Sequence, residues 1–173
     1  FGIPAYTEKD PEDFYVNPER QKNSLYKNMK DCELVLRYFA LRDNANIRGS
    51  MKAMLDRAME VKLNSAEADA AGEEFKTRFE FLYNLFDKKP FVLKASTEGK
   101  ERVSAALYDA SMVALNNRWD SKDLIEEDKA QVIQRMAAAN ADEDQYEVLV
   151  GRGNTAEAVR DRINLLEKIL VPE

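Results

Sequence analysis

The chain contains no histidine and only one cysteine among its 173 residues. The absence of histidine excludes Ser-His and Cys-His nucleophile pairs, histidine-metal nuclease centres and histidine-ligated zinc sites. A single cysteine, Cys32, cannot build a disulfide framework, so a reducing cytoplasm is the expected location. Its apolar neighbours predict that Cys32 is a small buried side chain and not a nucleophile.

Glycine (6), proline (5) and long apolar runs are also scarce. The first two counts argue against collagen, low-complexity polymers and turn-dense β-sandwiches. Since no apolar run approaches about 18 residues, we expect neither a transmembrane helix nor an association with membranes. The net charge of -6 argues against a surface that binds nucleic acid throughout, but a local basic patch stays open.

What the sequence does contain is apolar residues at helical spacing, and strand-type alternation is nowhere sustained. We therefore predict an all-α fold, a compact bundle of six or seven helices in a single domain over residues 28–173. Residues 1–27 carry three prolines without a clear period and are interpreted as a linker or the truncated edge of a preceding domain.

Capping residues and periodicity give approximate helix limits. The first helix is so rich in apolar residues that it is expected to be central in the domain. A short apolar stretch at Phe91-Val-Leu connects two predicted helices and is compatible with an extended backbone. The predicted helices cover about residues 28–41, 50–62 and 65–86, a stretch that begins between Glu98 and Val103 and ends near Asn117, and residues 121–136 and 142–149, and a final helix opens at Asn154 or Thr155.

The segment Gly151-Arg152-Gly153-Asn154-Thr155 is the best local candidate for chemistry. Two glycines let a backbone approach a ligand, and a following helix start presents free N–H groups to a phosphate. Arg152, Gly153, Arg160 and Arg162 are therefore candidate phosphate or DNA contacts. The alternative, an ordinary turn between helices with exposed salt bridges, is favoured because turn glycines are common and acidic residues flank the arginines.

Other polar and apolar sets have structural interpretations. Glu33 and Arg37 lie four residues apart in the order that favours a helix-stabilising ion pair. Carboxylate pairs such as Glu73-Glu74 are interpreted as solvated, so no catalytic residue, metal site or cofactor site is predicted in this segment.

A candidate protein interface comprises Met51, Met54 and Trp119, although methionines at helical spacing are more often core residues.

Two stretches carry a resemblance to a known family. Lys30-Asp-Cys-Glu-Leu-Val-Leu-Arg-Tyr-Phe-Ala-Leu-Arg42, followed by Gly49-Ser-Met-Lys-Ala-Met-Leu55, resembles the helical half of GmrSD-type proteins, a restriction and phage-defence family with a ParB/sulfiredoxin-like fold. Weaker similarity lies in Phe79–Phe86, in Ala106–Val113 and in the last helix at Arg162-Ile163. The resemblance covers the chain from about Asn28 to its end.

The resemblance implies a role but no catalytic residue. Family members begin with a ParB-like domain that carries an Asp-Gly-Gln-Gln-Arg motif, implied to serve nucleotide binding and hydrolysis or DNA cleavage, and this motif is absent here. A histidine-metal nuclease domain that often follows is absent as well. A nucleotide would therefore belong to the parent protein, and whether the parent is a nucleotide-dependent nuclease stays open.

Three functions follow as hypotheses. The first is a non-catalytic helical accessory domain of a GmrSD-like restriction or phage-defence protein, which packs on a ParB-like domain or partner subunit and helps to position DNA. The second is a free-standing module for protein-protein interaction or dimerisation, without enzymatic activity. The third is a helical domain that contacts DNA through Arg152, Arg160 and Arg162.

Overall fold

A computed structural model of the chain describes residues 22–94, 101–151, 153 and 155–172. The described part is helical apart from one small antiparallel sheet, so the predicted all-α class is confirmed. It contains nine helices where six or seven were predicted. They are α1 (Ser24–Lys27), α2 (Lys30–Leu41), α3 (Met51–Met59), α4 (Ser65–Leu85), α5 (Ala105–Asn117), α6 (Lys122–Glu127), α7 (Lys129–Ala141), α8 (Glu143–Val150) and α9 (Ala156–Leu170), with strands β1 (Val92–Lys94) and β2 (Glu101–Val103).

The chain divides into two units, Phe1–Val35 and Leu36–Glu173. Within the first, α1 lies inside the predicted linker, because the Asn23 side chain accepts a hydrogen bond from the backbone N–H of Leu25 at 2.9 Å and caps a short turn. The rest of the predicted linker, residues 1–21, lies outside the described residues. Helix α2 begins in the first unit and ends in the second.

Helix α2 buries one stripe and leaves the opposite face in solvent. Leu34, Arg37, Tyr38 and Leu41 are buried at spacings of three and four residues. The predicted burial of Cys32 is wrong, since this residue lies off the stripe and is exposed. The expectation that the first helix is central is wrong for the same reason.

Helices α3 and α4 begin where the sequence predicts them to begin. The Ser50 hydroxyl accepts a hydrogen bond from the Ala53 N–H at 3.3 Å. At the start of α4, the Asn64 side chain accepts from the Glu67 N–H while the Glu67 carboxylate accepts from the Asn64 N–H, which is a complete capping box. Helix α4 ends within one residue of the predicted limit.

The central helix is α5, in which every residue from Leu107 to Leu115 is buried. It starts at Ala105, later than predicted, because residues 101–103 pair as a strand, with Val92 opposite Val103 and Lys94 opposite Glu101. The Ser104 hydroxyl then caps the helix by accepting from the Leu107 N–H. Residues 95–100, which include the earliest predicted start at Glu98, are outside the described part.

Helices α4, α8 and α9 pack against α5, and α9 packs most closely. The predicted helix over residues 121–136 is divided at Asp128, where two charged residues interrupt the apolar pattern. Thr155 caps α9 as predicted, its hydroxyl accepting from the Ala158 N–H at 3.2 Å. None of the helices in the described ranges combines the length and the apolar character needed to span a membrane.

Candidate functional site

Two charged side chains, one from α2 and one from α5, meet in the interior. Arg37 of α2 donates from Nε to both oxygens of Asp109 in α5, at 2.9 and 3.1 Å, and from Nη2 to Oδ2. Both residues are almost fully buried. A guanidinium with two donors on one carboxylate forms the strongest type of protein ion pair and fixes the relative position of two helices.

A second arginine adds its charge to this pair. Arg162 of α9 is 1% exposed, and its Nε donates to the Val148 carbonyl at 2.9 Å. Burial lowers the pKa of the Arg162 guanidinium, the negative charge of Asp109 raises it, and the positive charge of Arg37 lowers it. The single carboxylate of Asp109 thus interacts with two buried arginines, which lie near opposite ends of the sequence.

A related network joins α2 to α4. The Tyr38 hydroxyl donates to Glu74 Oε1 at 2.7 Å, and Arg42 Nη1 donates to the same oxygen at 2.6 Å. Burial and the hydrogen bond to Glu74 raise the pKa of the Tyr38 hydroxyl. Burial alone would raise the pKa of the Glu74 carboxyl, but the hydrogen bonds from Tyr38 and Arg42 outweigh it, and the pKa is lowered. Glu74 is therefore not the solvated carboxylate that the sequence predicts.

This network has a consequence for acid stability. Because the pKa of Glu74 is lower in the folded chain than its ordinary 4.5, its stabilising contribution is complete above that pH and is lost as the pH falls through the folded pKa. We expect Glu74→Gln to cost about 1 kcal/mol at neutral pH, and the difference from the unmodified chain to shrink below about pH 4.5.

Urea unfolding followed over this pH range measures the effect. The neighbouring Glu73→Gln is a matched control, since Glu73 is exposed and pairs only with Lys76 on the same helix surface. A Glu74→Gln deficit that stays constant or grows as the medium becomes acidic would contradict the assignment.

A cavity of about 540 Å³ opens between the end of α2, the loop that follows it, and α3. Its lining combines apolar side chains with three arginines. The lining residues are Leu36, Phe39, Arg42, Asp43, Ala45, Asn46, Arg48, Arg57, Ala58, Val61 and Leu63. The sequence does not predict this cavity. The three arginines that line it are dispersed over sixteen positions and come together only through the turn between α2 and α3.

The predicted phosphate contacts are not brought together as a set. Arg162 is buried in the core, and its Nη2 donates to the Gly153 carbonyl at 3.4 Å. Arg160 points elsewhere, since its Nη2 donates to the Ile47 carbonyl and its Nε to Asn44 at 3.4 Å. Arg152 lies outside the described residues. Phosphate contact at this turn stays a prediction, while the hydrogen bonds of Arg160 and Arg162 are structural.

A cavity of about 260 Å³ lies beside this turn. Among the described residues, Gly151, Gly153, Glu147, Asp161 and Arg162 line it.

The candidate interface residues are also distributed. Met54 is fully buried in the core, whereas Met51 is half-buried at the start of α3. Trp119 is covered on one face by the Arg78 guanidinium, 3.8 Å from the ring centre, and on its edge by Phe81. These contacts give Met54 and Trp119 roles inside the fold, and a role in dimerisation is not tested by them.

The proposed Glu33–Arg37 ion pair stays a prediction. The described contacts give Arg37 a different partner, Asp109, which lies 72 positions further along the chain. Sequence reasoning did not identify Asp109, although one signal was present, namely a single acidic residue within the apolar run Ala-Leu-Tyr-Asp-Ala-Ser-Met-Val. A charge in the middle of a largely apolar, buried helix needs a buried partner.

The geometry of the buried charges holds helices together, since Asp109 accepts hydrogen bonds from Arg37 and lies in the field of a second buried arginine, Arg162. Within the described part of the chain, no group of cysteine, aspartate or glutamate side chains able to hold a metal ion is found. Comparison with protein-family models, with curated proteins and with solved structures finds no match to this chain.

Proposed function

We propose that this chain is a helical accessory domain of a GmrSD-like restriction or phage-defence protein, which packs on a ParB-like domain and performs no catalysis of its own. The observation that supports the proposal is the Arg37–Asp109 ion pair. Lys30–Arg42, one of the two stretches that carry the resemblance, and Ala106–Val113, a stretch of weaker similarity, each contribute one charged side chain to it. These charged residues are thus used to hold helices together.

The geometry of the pair supports a scaffolding role over a catalytic one. Both oxygens of Asp109 accept hydrogen bonds from Arg37, and the residue is 2% exposed. A carboxylate that is to act on a substrate or hold a catalytic metal needs an oxygen that a ligand can reach.

A domain that packs on another domain also needs an apolar surface to bury. Val103, Leu124 and Met59 are more than half exposed although they are large and apolar. We propose that these side chains belong to the surface that the ParB-like domain covers. The cytoplasmic location and the nucleotide of the parent protein belong to the same proposal.

The experiment has two parts. We expect the coding sequence upstream of the Phe1 codon to specify a ParB-like domain with the Asp-Gly-Gln-Gln-Arg motif, and we expect that domain to co-elute with this chain in gel filtration. The isolated chain, supplied with Mg²⁺, should neither hydrolyse nucleoside triphosphates nor nick DNA. Hydrolysis that scales with the concentration of the purified chain, or an upstream sequence without the motif, would overturn the proposal.

A further inference from the structure

The cavity between α2 and α3 has the size and shape of a small-molecule site. Its volume of about 540 Å³ lies within the range of ligand pockets, about 300–1,000 Å³. All of its lining residues belong to the second unit, and they come from the end of α2, the following loop, α3 and the segment after α3.

The walls of the cavity are held in place by hydrogen bonds. Arg57 donates from Nε to the Asn46 side chain at 2.6 Å, and from Nη2 to the carbonyls of Asn46 and Arg48 at 2.8 and 2.7 Å. The Asn46 amide in turn donates to the Ala40 carbonyl at 2.7 Å. From the other side, Arg160 donates to the Ile47 carbonyl. The loop is therefore fixed before any ligand arrives, which reduces the entropic cost of binding.

The charge of the lining is positive in a chain whose net charge is -6. The charge of Arg42 is balanced by Glu74. The hydrogen bonds of Arg57, in contrast, go to neutral oxygens of Asn46 and Arg48. Within the described ranges no hydrogen bond or ion pair engages the exposed Arg48 guanidinium. The one acidic residue of the lining, Asp43, already accepts from the Ala45 N–H. An excess of guanidinium groups at a fixed site favours a carboxylate, sulfonate or phosphate.

The lining also contains large apolar side chains. Val61 and Leu63 are 65% and 49% exposed, and the ring of Phe39 lies under the Arg42 guanidinium at 4.9 Å. Exposed large apolar side chains beside a concave surface are typical of ligand grooves. The lining as a whole is complementary to a molecule that carries both an apolar body and an anionic group.

We propose that this cavity binds a small organic anion with an apolar body. The acidic group would lie against Arg48 and the apolar body against Phe39, Val61 and Leu63. The site is separate from the Arg37–Asp109 pair, so this proposal does not depend on the proposed accessory role.

Two matched fluorescent dyes test the proposal. They are 8-anilinonaphthalene-1-sulfonate, and N-phenyl-1-naphthylamine, which has the same aromatic body without the sulfonate. We expect the sulfonate to bind saturably, one molecule per chain, and about tenfold more tightly than the neutral dye. Arg48→Glu should weaken sulfonate binding about tenfold, because it replaces the available guanidinium by a like charge. Lys168→Glu makes the same change of charge at an exposed site outside the lining and should alter binding less than about twofold.

Chemical-shift mapping locates the dye. Shifts should cluster at Ala45, Ala58 and Val61. Equal affinity for the two dyes, equal weakening by both variants, or shifts dispersed over the chain would mean adventitious adsorption and would overturn the proposal. If circular dichroism shows that Arg48→Glu is unfolded, Val61→Asp takes its place: it should abolish binding of both dyes, and retained binding would equally overturn the proposal.

Discussion

Replacing Asp109 by asparagine is expected to lower the free energy of unfolding by about 3–5 kcal/mol, the range found when one partner of a buried ion pair is removed. Asparagine keeps the size of the side chain, so the loss would come from charge and not from a cavity. Two guanidinium groups, those of Arg37 and Arg162, would be left in the interior without a neutralising carboxylate. Urea unfolding monitored by circular dichroism measures the loss.

An exposed aspartate gives the matched control. Asp56 is 55% exposed and pairs with Lys52 on the surface of α3, so Asp56→Asn should change stability by less than about 0.5 kcal/mol. In addition, Arg37→Met combined with Asp109→Asn should cost less than the sum of the two single substitutions, since the partners are coupled. A loss below about 1 kcal/mol for Asp109→Asn would refute the assignment of this pair as a structural anchor.

Replacing Gly151 by alanine is expected to cost about 2–4 kcal/mol. Two effects add. Gly151 ends α8 with a φ of 68°, a left-handed conformation that costs any other L-residue about 1 kcal/mol or more. A Cβ at this position would also lie 2.7 Å from Cζ of Arg162 and 2.8 Å from Cβ of Ala106, inside van der Waals contact. The glycine is thus needed for both the turn and the buried guanidinium.

A second glycine provides the comparison. Gly72 lies within α4, and a Cβ added there meets no atom within 4 Å, so Gly72→Ala should stabilise the chain by about 0.5–1 kcal/mol through helix propensity. Gly151→Asn separates the two effects, because asparagine tolerates positive φ but keeps the Cβ. It should recover only part of the loss. A Gly151→Ala variant as stable as the parent chain would show that α9 does not occupy the position described here.

Local sequence features predicted the start of most helices well. The Ser50, Asn64 and Thr155 caps are decided by hydrogen bonds within three residues, and periodicity identified α4 almost to its last residue. Where local preference and tertiary pairing compete, the prediction is wrong. Residues 101–103 lie directly before a helix and were expected at its start. They pair with β1 as a strand instead, and α5 begins only after Ser104.

The candidate site was less predictable, because its members are distant in sequence. Local reasoning gave Arg37 the nearest acidic residue as partner, whereas the described partner, Asp109, is selected by helix packing. Likewise, Arg162 was considered as a surface cation by virtue of its position near a glycine turn. Only the packing of α9 against α5 makes it a buried structural residue.

The link between Arg162 and α5 bears on how the chain matures during synthesis. Helix α5 is buried from Leu107 to Leu115, and α9, which packs most closely against it, is made only after α6, α7 and α8. Until α9 leaves the ribosome, the nascent polypeptide exposes the apolar surface of α5 that α9 covers in the folded chain, and such a form is prone to aggregation. We therefore expect messages truncated before residue 156 to yield insoluble product.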